Sequence, residues 1–233
     1  MALSLDEQLA ALPPDVQTML LQHRFDSARF KQQALRLRTE SAQENFVKGK
    51  ISPPRSQDLA QLPKPGSPEH ERLREAGEQA LREGRVALLV LAGGMATRMG
   101  GVVKALVDAI PGKSFLDLRR AEMRAIERRY GSAPPLWLMT SNSTDASIRQ
   151  ALGDDLDGQT VATFTQHLSL RVTPEGNVFF DKNGRPSEHA PGHGDLPDAL
   201  RESGLLDAFV KRGGKVIMMC NIDNMGGTLD PVA

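Results

Sequence analysis

The sequence predicts an α/β fold, a mostly parallel sheet with helices on both faces, preceded by an N-terminal helical appendage. Three observations predict it. Continuous apolar runs recur at 85–91, 136–140, 161–164 and 215–220, the pattern of strands covered on both faces. Segments of helical character lie between them at 114–131, 144–152, 195–203 and 205–212, and such alternation gives a parallel sheet. Residues 4–45 are helical in pattern, with a break at Pro13 and Pro14.

In the appendage, Val16, Met19, Leu20, His23, Phe30, Ala34 and Leu37 recur at three- and four-residue steps, one face of an amphipathic helical segment. The stretch 49–68 holds Pro53, Pro54, Pro63, Pro65, Gly66 and Pro68, which can neither continue a helix nor feed a sheet ladder, so it reads as a linker. Ser67 with Pro68 just inside starts a helix whose apolar face is Leu73, Ala76, Ala80 and Leu81, and Gly84 stops it. Ser114 opens the next helix, Gly131 closes it, and Gly153 follows the short one after the second strand. Residues 170–181, with Pro174-Glu-Gly-Asn177 at the centre, read as a hairpin. Gly213 and Gly214 end the last helical pair. The expected division is a helical segment 1–50, a proline-rich linker 51–68 and an α/β domain 69–233.

Composition narrows the function. The 233 residues carry 29 basic and 29 acidic side chains, a formal net charge of zero, so a polyanion binder relying on surplus Lys and Arg is not expected, and no nucleic-acid partner is expected. No apolar run approaches the ~20 residues that span a bilayer, and Asp6 and Glu7 stand where a signal segment would be basic and hydrophobic. No membrane association and a cytoplasmic location are expected. Cys220 is the sole cysteine, which excludes an internal disulfide and a multi-thiolate metal site. His23, His70, His167 and His189 have no partner at ligand spacing. With 4% aromatics but 21 Gly and 15 Pro, chemistry is expected in backbone-built loops.

In an open α/β sheet, ligands gather outside the carboxyl ends of the strands. The first such segment is Leu91-Ala-Gly-Gly-Met-Ala-Thr-Arg-Met-Gly-Gly101, followed by Lys104. Gly93 and Gly94 let backbone N–H groups approach a ligand, and Arg98 and Lys104 add positive charge beside them, a phosphate cradle in composition. It matches neither Gly-x-x-x-x-Gly-Lys-Ser/Thr nor Gly-x-Gly-x-x-Gly.

The loop Leu-Ala-Gly-Gly-x-x-Thr-Arg-Met-Gly with its downstream lysine resembles the nucleotide-binding loop of sugar-1-phosphate nucleotidyltransferases, specifically the UDP-sugar pyrophosphorylase family. Gly112-Lys113-Ser-Phe-Leu-Asp-Leu118, Ala190-Pro-Gly-His-Gly-Asp195 and Asn221-Ile-Asp-Asn224 are similar to three further motifs of that family, in the same order. The resemblance spans about 85–230 and implies a Rossmann-like, GT-A-like nucleotidyltransferase sheet, UTP and a sugar 1-phosphate as substrates, and Mg²⁺ as cofactor. It implies that Leu91, Ala92, Gly93 and Gly94 meet the base and ribose edge, and that Arg98 and Lys104 bind the triphosphate as the catalytic cations. Gln166 would read uracil, Gly192 would admit the base to the backbone, and His193 would lie near the α-phosphate. Asn221 would bind the sugar and Asp223 would hold Mg²⁺.

Two positions depart from the family pattern. Ala96 stands where a glycine is usual and Val103 where a proline is usual; were positive φ needed at 96, nucleotide would bind less well. The resemblance also implies a further half after residue 233, with the rest of the sugar pocket. The α/β domain is therefore expected to be incomplete at its C-terminus, with an unpaired sheet edge and apolar surface. A looser form of the loop is shared with molybdenum-cofactor guanylyltransferases. A nucleotide-binding protein without catalysis, docking a partner through the helices of 4–45, is a third reading.

Overall fold

The computed structural model describes residues 3–39, 46–96 and 100–233. The chain divides into two compact units, residues 1–59 with 167–191, and residues 60–166 with 192–233.

The second unit is the α/β domain. Its sheet has four parallel strands in the order β10-β1-β6-β7, with β1 at Val86–Leu91, β6 at Leu136–Thr140, β7 at Val161–Thr165 and β10 at Val216–Asn221. Alternate side chains feed opposite cores, as the period of two requires. Leu88, Val90, Leu136 and Leu138 pack on one face with Leu81 of α4 (Pro68–Arg82), Leu116, Met123 and Ile126 of α5 (Phe115–Tyr130), and Ile148 and Leu152 of α6 (Asp145–Leu152). Ala87, Leu89, Trp137 and Met139 pack on the other with Ala199 and Leu200 of α7 (Leu196–Glu202) and Leu205 and Phe209 of α8 (Leu205–Lys211). Trp137 meets Phe209 edge to face, with centroids 5.4 Å apart.

The expected helix signals operate. Ser67 Oγ accepts from the His70 N–H with Pro68 at the first helical position. Ser114 and Asp117 form a reciprocal capping box at the start of α5, and Gly131 ends that helix at φ 78°. Three short antiparallel ladders add detail that the apolar runs did not signal: β2 (Met95–Ala96) with β3 (Val102–Val103), β4 (Asp108–Ile110) with β5 (Lys113–Ser114), and β8 (Ser169–Leu170) with β9 (Glu188–His189).

The order of the strands positions the site. From β1 the chain crosses through α5 to β6 and then through α6 to β7; it returns through α7 and α8 to β10, on the other side of β1. The direction of winding therefore reverses at β1, and the crevice beside its carboxyl end, between β1 and β10, is the topological switch point. Among the described residues β10 is an edge strand of this sheet, and its Val216 and Met219 are more than half exposed.

The first unit holds α1 (Leu5–Ala10), α2 (Pro14–Gln22) and α3 (Ser27–Thr39). The break between α2 and α3 comes at Arg24, at φ 55°. Val16, Leu20 and Phe30 share a core with Leu168, Leu170 and Val178. The hairpin expected at 170–181 is closed by the antiparallel bridge Val172 to Val178. The linear division into 1–50, 51–68 and 69–233 differs from this one, because residues 167–191 cluster with the N-terminal helices. Their apolar side chains complete the helical core through contacts more than a hundred residues apart.

Candidate functional site

The site is built at the switch point from backbone outward. Leu91 is the last residue of β1 and pairs in register with Asn221, the last residue of β10. Ala92 continues the ladder by donating its N–H to Met139 O at 2.8 Å, and the Ile222 N–H reaches Leu91 O at 3.2 Å. The chain then leaves the sheet at Gly93 and Gly94. Gly93 is a place of close approach: a Cβ there would stand 2.7 Å from Gln166 Nε2 and 3.4 Å from Ser141 Cβ. Ser141 Oγ donates to Gly93 O at 3.0 Å, and the Ser141 N–H donates to Thr144 Oγ1 at 3.0 Å. The loop is thus pinned from β6.

Gln166 follows β7 and anchors its own backbone by donating to Thr140 O at 2.9 Å. It is buried at 7% exposure, with its side-chain amide packed beside Gly93. Lys104 begins a 3-10 turn after β3, and its N–H donates to Gly94 O at 3.2 Å. Its side chain arches over Gly94, where a Cβ would be 3.9 Å from Lys104 Cε. Its Nζ then meets Asp223 Oδ2 at 3.1 Å.

The expected positions therefore converge unequally. Leu91, Ala92, Gly93, Gly94, Gln166, Lys104, Asn221 and Asp223 are gathered at the carboxyl ends of β1, β7 and β10. The sequence reading assigned Lys104 to phosphate and Asp223 to metal separately; in the structure they face each other as an ion pair. Gly192 holds φ 97° and ψ −167°, a backbone conformation for which glycine is suited, at the start of a short turn that leads into α7. His193 follows it and is exposed; among the described residues it makes no side-chain hydrogen bond to Lys104 or Asp223. Arg98 lies outside the described residues. Ala96 sits in the β2–β3 ladder without positive φ, so the glycine usual at that position is not required for this backbone. Cys220 is buried, which pushes its thiol pKa up and fits the core role expected of it.

Sequence reasoning missed Ser141, Thr144, Arg119 and Glu122. The polar run Thr140-Ser-Asn-Ser-Thr144 directly after a buried strand was the available signal for the first two. Arg119 is fully buried and donates to Asn224 O and to Gly227 O (2.9 Å), in the segment that bears Asp223.

Among the described residues, no three His, Cys, Asp or Glu side chains converge to hold a metal. Asp223, the residue expected to hold Mg²⁺, is the carboxylate paired with Lys104 in this structure; a hard cation that keeps several waters needs only one or two carboxylates beside phosphate oxygens. Among the described residues no helix is long and apolar enough to cross a membrane.

The sequence matches the family described as UTP--glucose-1-phosphate uridylyltransferase over residues 27–232. It is 33% identical over 183 residues to a probable UTP--glucose-1-phosphate uridylyltransferase of Schizosaccharomyces pombe, covering 74% of this chain and 36% of that protein. It is 30% identical over 171 residues to the UTP--glucose-1-phosphate uridylyltransferase of Saccharomyces cerevisiae, covering 69% and 33%. The chain thus spans about a third of the length of these curated relatives. Among solved structures, it resembles the uridine diphosphate N-acetylglucosamine pyrophosphorylase of Trypanosoma brucei at 26% identity and TM-score 0.60, over 70% of this chain and 37% of that one. A mutant UDP-glucose pyrophosphorylase of Leishmania major is similar at 26% identity and TM-score 0.57, over 66% and 33%.

Proposed function

Since the chain belongs to the UTP--glucose-1-phosphate uridylyltransferase family, we propose that it supplies nucleotide binding in a cytoplasmic enzyme that makes a UDP-sugar and pyrophosphate from UTP and a sugar 1-phosphate. The observation that carries the proposal is the Lys104–Asp223 pair over Gly94 at the switch point, where this class of sheet binds ligands.

The reaction forms a bond between a sugar-phosphate oxygen and the α-phosphorus of UTP and breaks the α–β bridge, releasing pyrophosphate. Both reactants are anions, so positioning and charge stabilisation supply catalysis. Lys104, held over the loop by its own backbone bond to Gly94, stabilises phosphate charge, and Arg98 adds a second cation. Gln166 presents an amide that both donates and accepts on one base edge, with Gly93 leaving room for it and Gly192 admitting the base to the main chain. His193, on the loop after Gly192, would lie near the α-phosphate, and Asn221 would hydrogen-bond the sugar. Asp223 would hold Mg²⁺, which when bound neutralises phosphate charge. The same carboxylate is engaged by Lys104 in this structure, so Asp223 would hold the cation in place of that ion pair.

The test is pyrophosphate release with UTP or GTP, against glucose 1-phosphate or N-acetylglucosamine 1-phosphate. Release with UTP and either sugar supports the proposal and names the sugar. Release only with GTP and molybdopterin would assign the chain to guanylyl transfer, and UTP binding without release would leave a nucleotide-binding protein.

A further inference from the structure

We infer that Arg119, assisted by Glu122, is the positioning residue for Asp223, acting through the main chain of residues 221–229; the inference rests on the uridylyltransferase reading of the site. Arg119 lies on the apolar stripe of α5 with Leu116, Met123 and Ile126, and its side chain is wholly buried. A cation there is costly unless its donors are used. Its two terminal nitrogens are used, on one loop and on Glu122, while Nε finds no hydrogen-bond partner among the described residues. Nη2 donates to Asn224 O, and Nη1 donates to Gly227 O at 2.9 Å and to Glu122 Oε2 at 2.8 Å. Glu122 Oε1 in turn accepts the Leu229 N–H at 3.2 Å.

These contacts grip the segment just after Asp223 at three main-chain points. Gly227 closes it: a Cβ there would stand 2.9 Å from Cys220 Cβ, so the segment doubles back tightly on the end of β10. The Asn224 N–H, bonded to Asn221 O at 3.1 Å, completes the turn that carries Asp223. Asp223 itself is 42% exposed and bonded to Lys104 alone among the described side chains. Its place in the crevice is therefore set by main chain, and that main chain is set by the guanidinium fork. A lysine could supply the charge but not two divergent donors in a fixed plane.

The experiment compares wild type with R119M and R119K by amide hydrogen exchange, by kcat and KM for UTP, and by the Mg²⁺ concentration giving half-maximal rate. The expected result is faster exchange confined to residues 221–229, a UTP KM within about twofold of wild type, and a kcat loss with a rise in half-saturating Mg²⁺ of roughly 10- to 100-fold, the usual effect of removing a group that orients a metal ligand. R119K should fall between. A general structural role would slow the enzyme without moving its Mg²⁺ requirement. Folded R119M with wild-type exchange at 221–229, or with wild-type kcat and Mg²⁺ dependence, would overturn the inference. Should R119M not fold, R119K decides on the same readouts. A wild-type chain that releases no pyrophosphate counts against the proposed function, and the exchange measurement then still decides whether Arg119 holds the loop.

Discussion

Lys104 Nζ and Asp223 Oδ2, 119 residues apart in sequence, stand 3.1 Å from each other across the switch point of the sheet. Both side chains are more than a third exposed, and an ion pair so placed contributes only about 0–1 kcal/mol to stability. The pair therefore matters for what it presents to a ligand. K104M and D223N should each shift the melting temperature by no more than about 4 °C, the effect of about 1 kcal/mol in a chain of this size. K104M should lower kcat by roughly 100-fold or more, the scale for removing one preorganised charge stabiliser. A large loss of stability with activity retained would turn the pair into a structural contact. Calorimetry and pyrophosphate release together separate the two.

Gly93 supplies a second prediction. A methyl group at 93 would meet Gln166 Nε2 at 2.7 Å, whereas at Gly94 the nearest atom is Lys104 Cε at 3.9 Å. G93A should displace Gln166, destabilise the domain by roughly 1–3 kcal/mol as overpacking does, and weaken uridine nucleotide binding. G94A should stay within about 1 kcal/mol of wild type, since its φ lies in the ordinary range and Gly-to-Ala changes at compatible positions are small. Equal urea midpoints for the two variants would show that Gly93 is not a place of close approach.

The helical unit should respond to acid through His189. Burial, and then the charge of Arg171, hold its pKa below the usual histidine value. The unfolded chain therefore takes up this proton first, near pH 6.5. Stability from neutral His189 is present above that pH and is lost as the pH falls from there toward the folded-state pKa. Its Nδ1 is buried and finds no hydrogen-bond partner among the described residues. In urea titrations, the fall in midpoint between pH 7.5 and pH 5.5 should be smaller in H189Q than in wild type; an identical fall would remove His189 from the account.

The start of α5 carries a different pH signature. Hydrogen bonds from the Ser114 hydroxyl and then from its backbone N–H hold the Asp117 carboxyl below its ordinary range. A depressed carboxylate pKa gives stability that is full above about pH 4 and lost as the pH falls through the folded-state value. S114A should cost about 1 kcal/mol at neutral pH and flatten acid unfolding below about pH 4. The check is thermal unfolding at pH 7 and pH 3, where an S114A deficit unchanged between the two would contradict it.

The parts of the molecule set by local pattern were legible in the sequence. Apolar runs such as 86–91 can be satisfied only by burial on both faces, and Ser67, Ser114 and Gly131 announce helix ends by the chemistry of orphan backbone groups. The apolar run that ends at Leu91 put Gly93 and Gly94 just beyond a strand's carboxyl end, where the structure has them. What was not legible depends on register between distant strands. Nothing local says that Lys104 will face Asp223, because that follows from β10 pairing with β1. Nor does anything in 167–191 say that Leu168 and Leu170 complete a core begun by Val16. Arg119 is an intermediate case. Among the five arginines from 119 to 129, only its spacing three after Leu116 and four before Met123 marks it as inward-facing, and charge hid that signal.

The central claim is that the crevice at the end of β1 takes a uridine triphosphate. The most direct test is calorimetric titration of UTP into the wild-type chain with Mg²⁺ present, repeated with GTP and with the G93A variant. The account predicts saturable single-site binding of UTP, weaker binding of GTP, and loss of most UTP affinity in G93A. No heat from UTP, or equal affinity for UTP and GTP undiminished by the methyl group at 93, would contradict it.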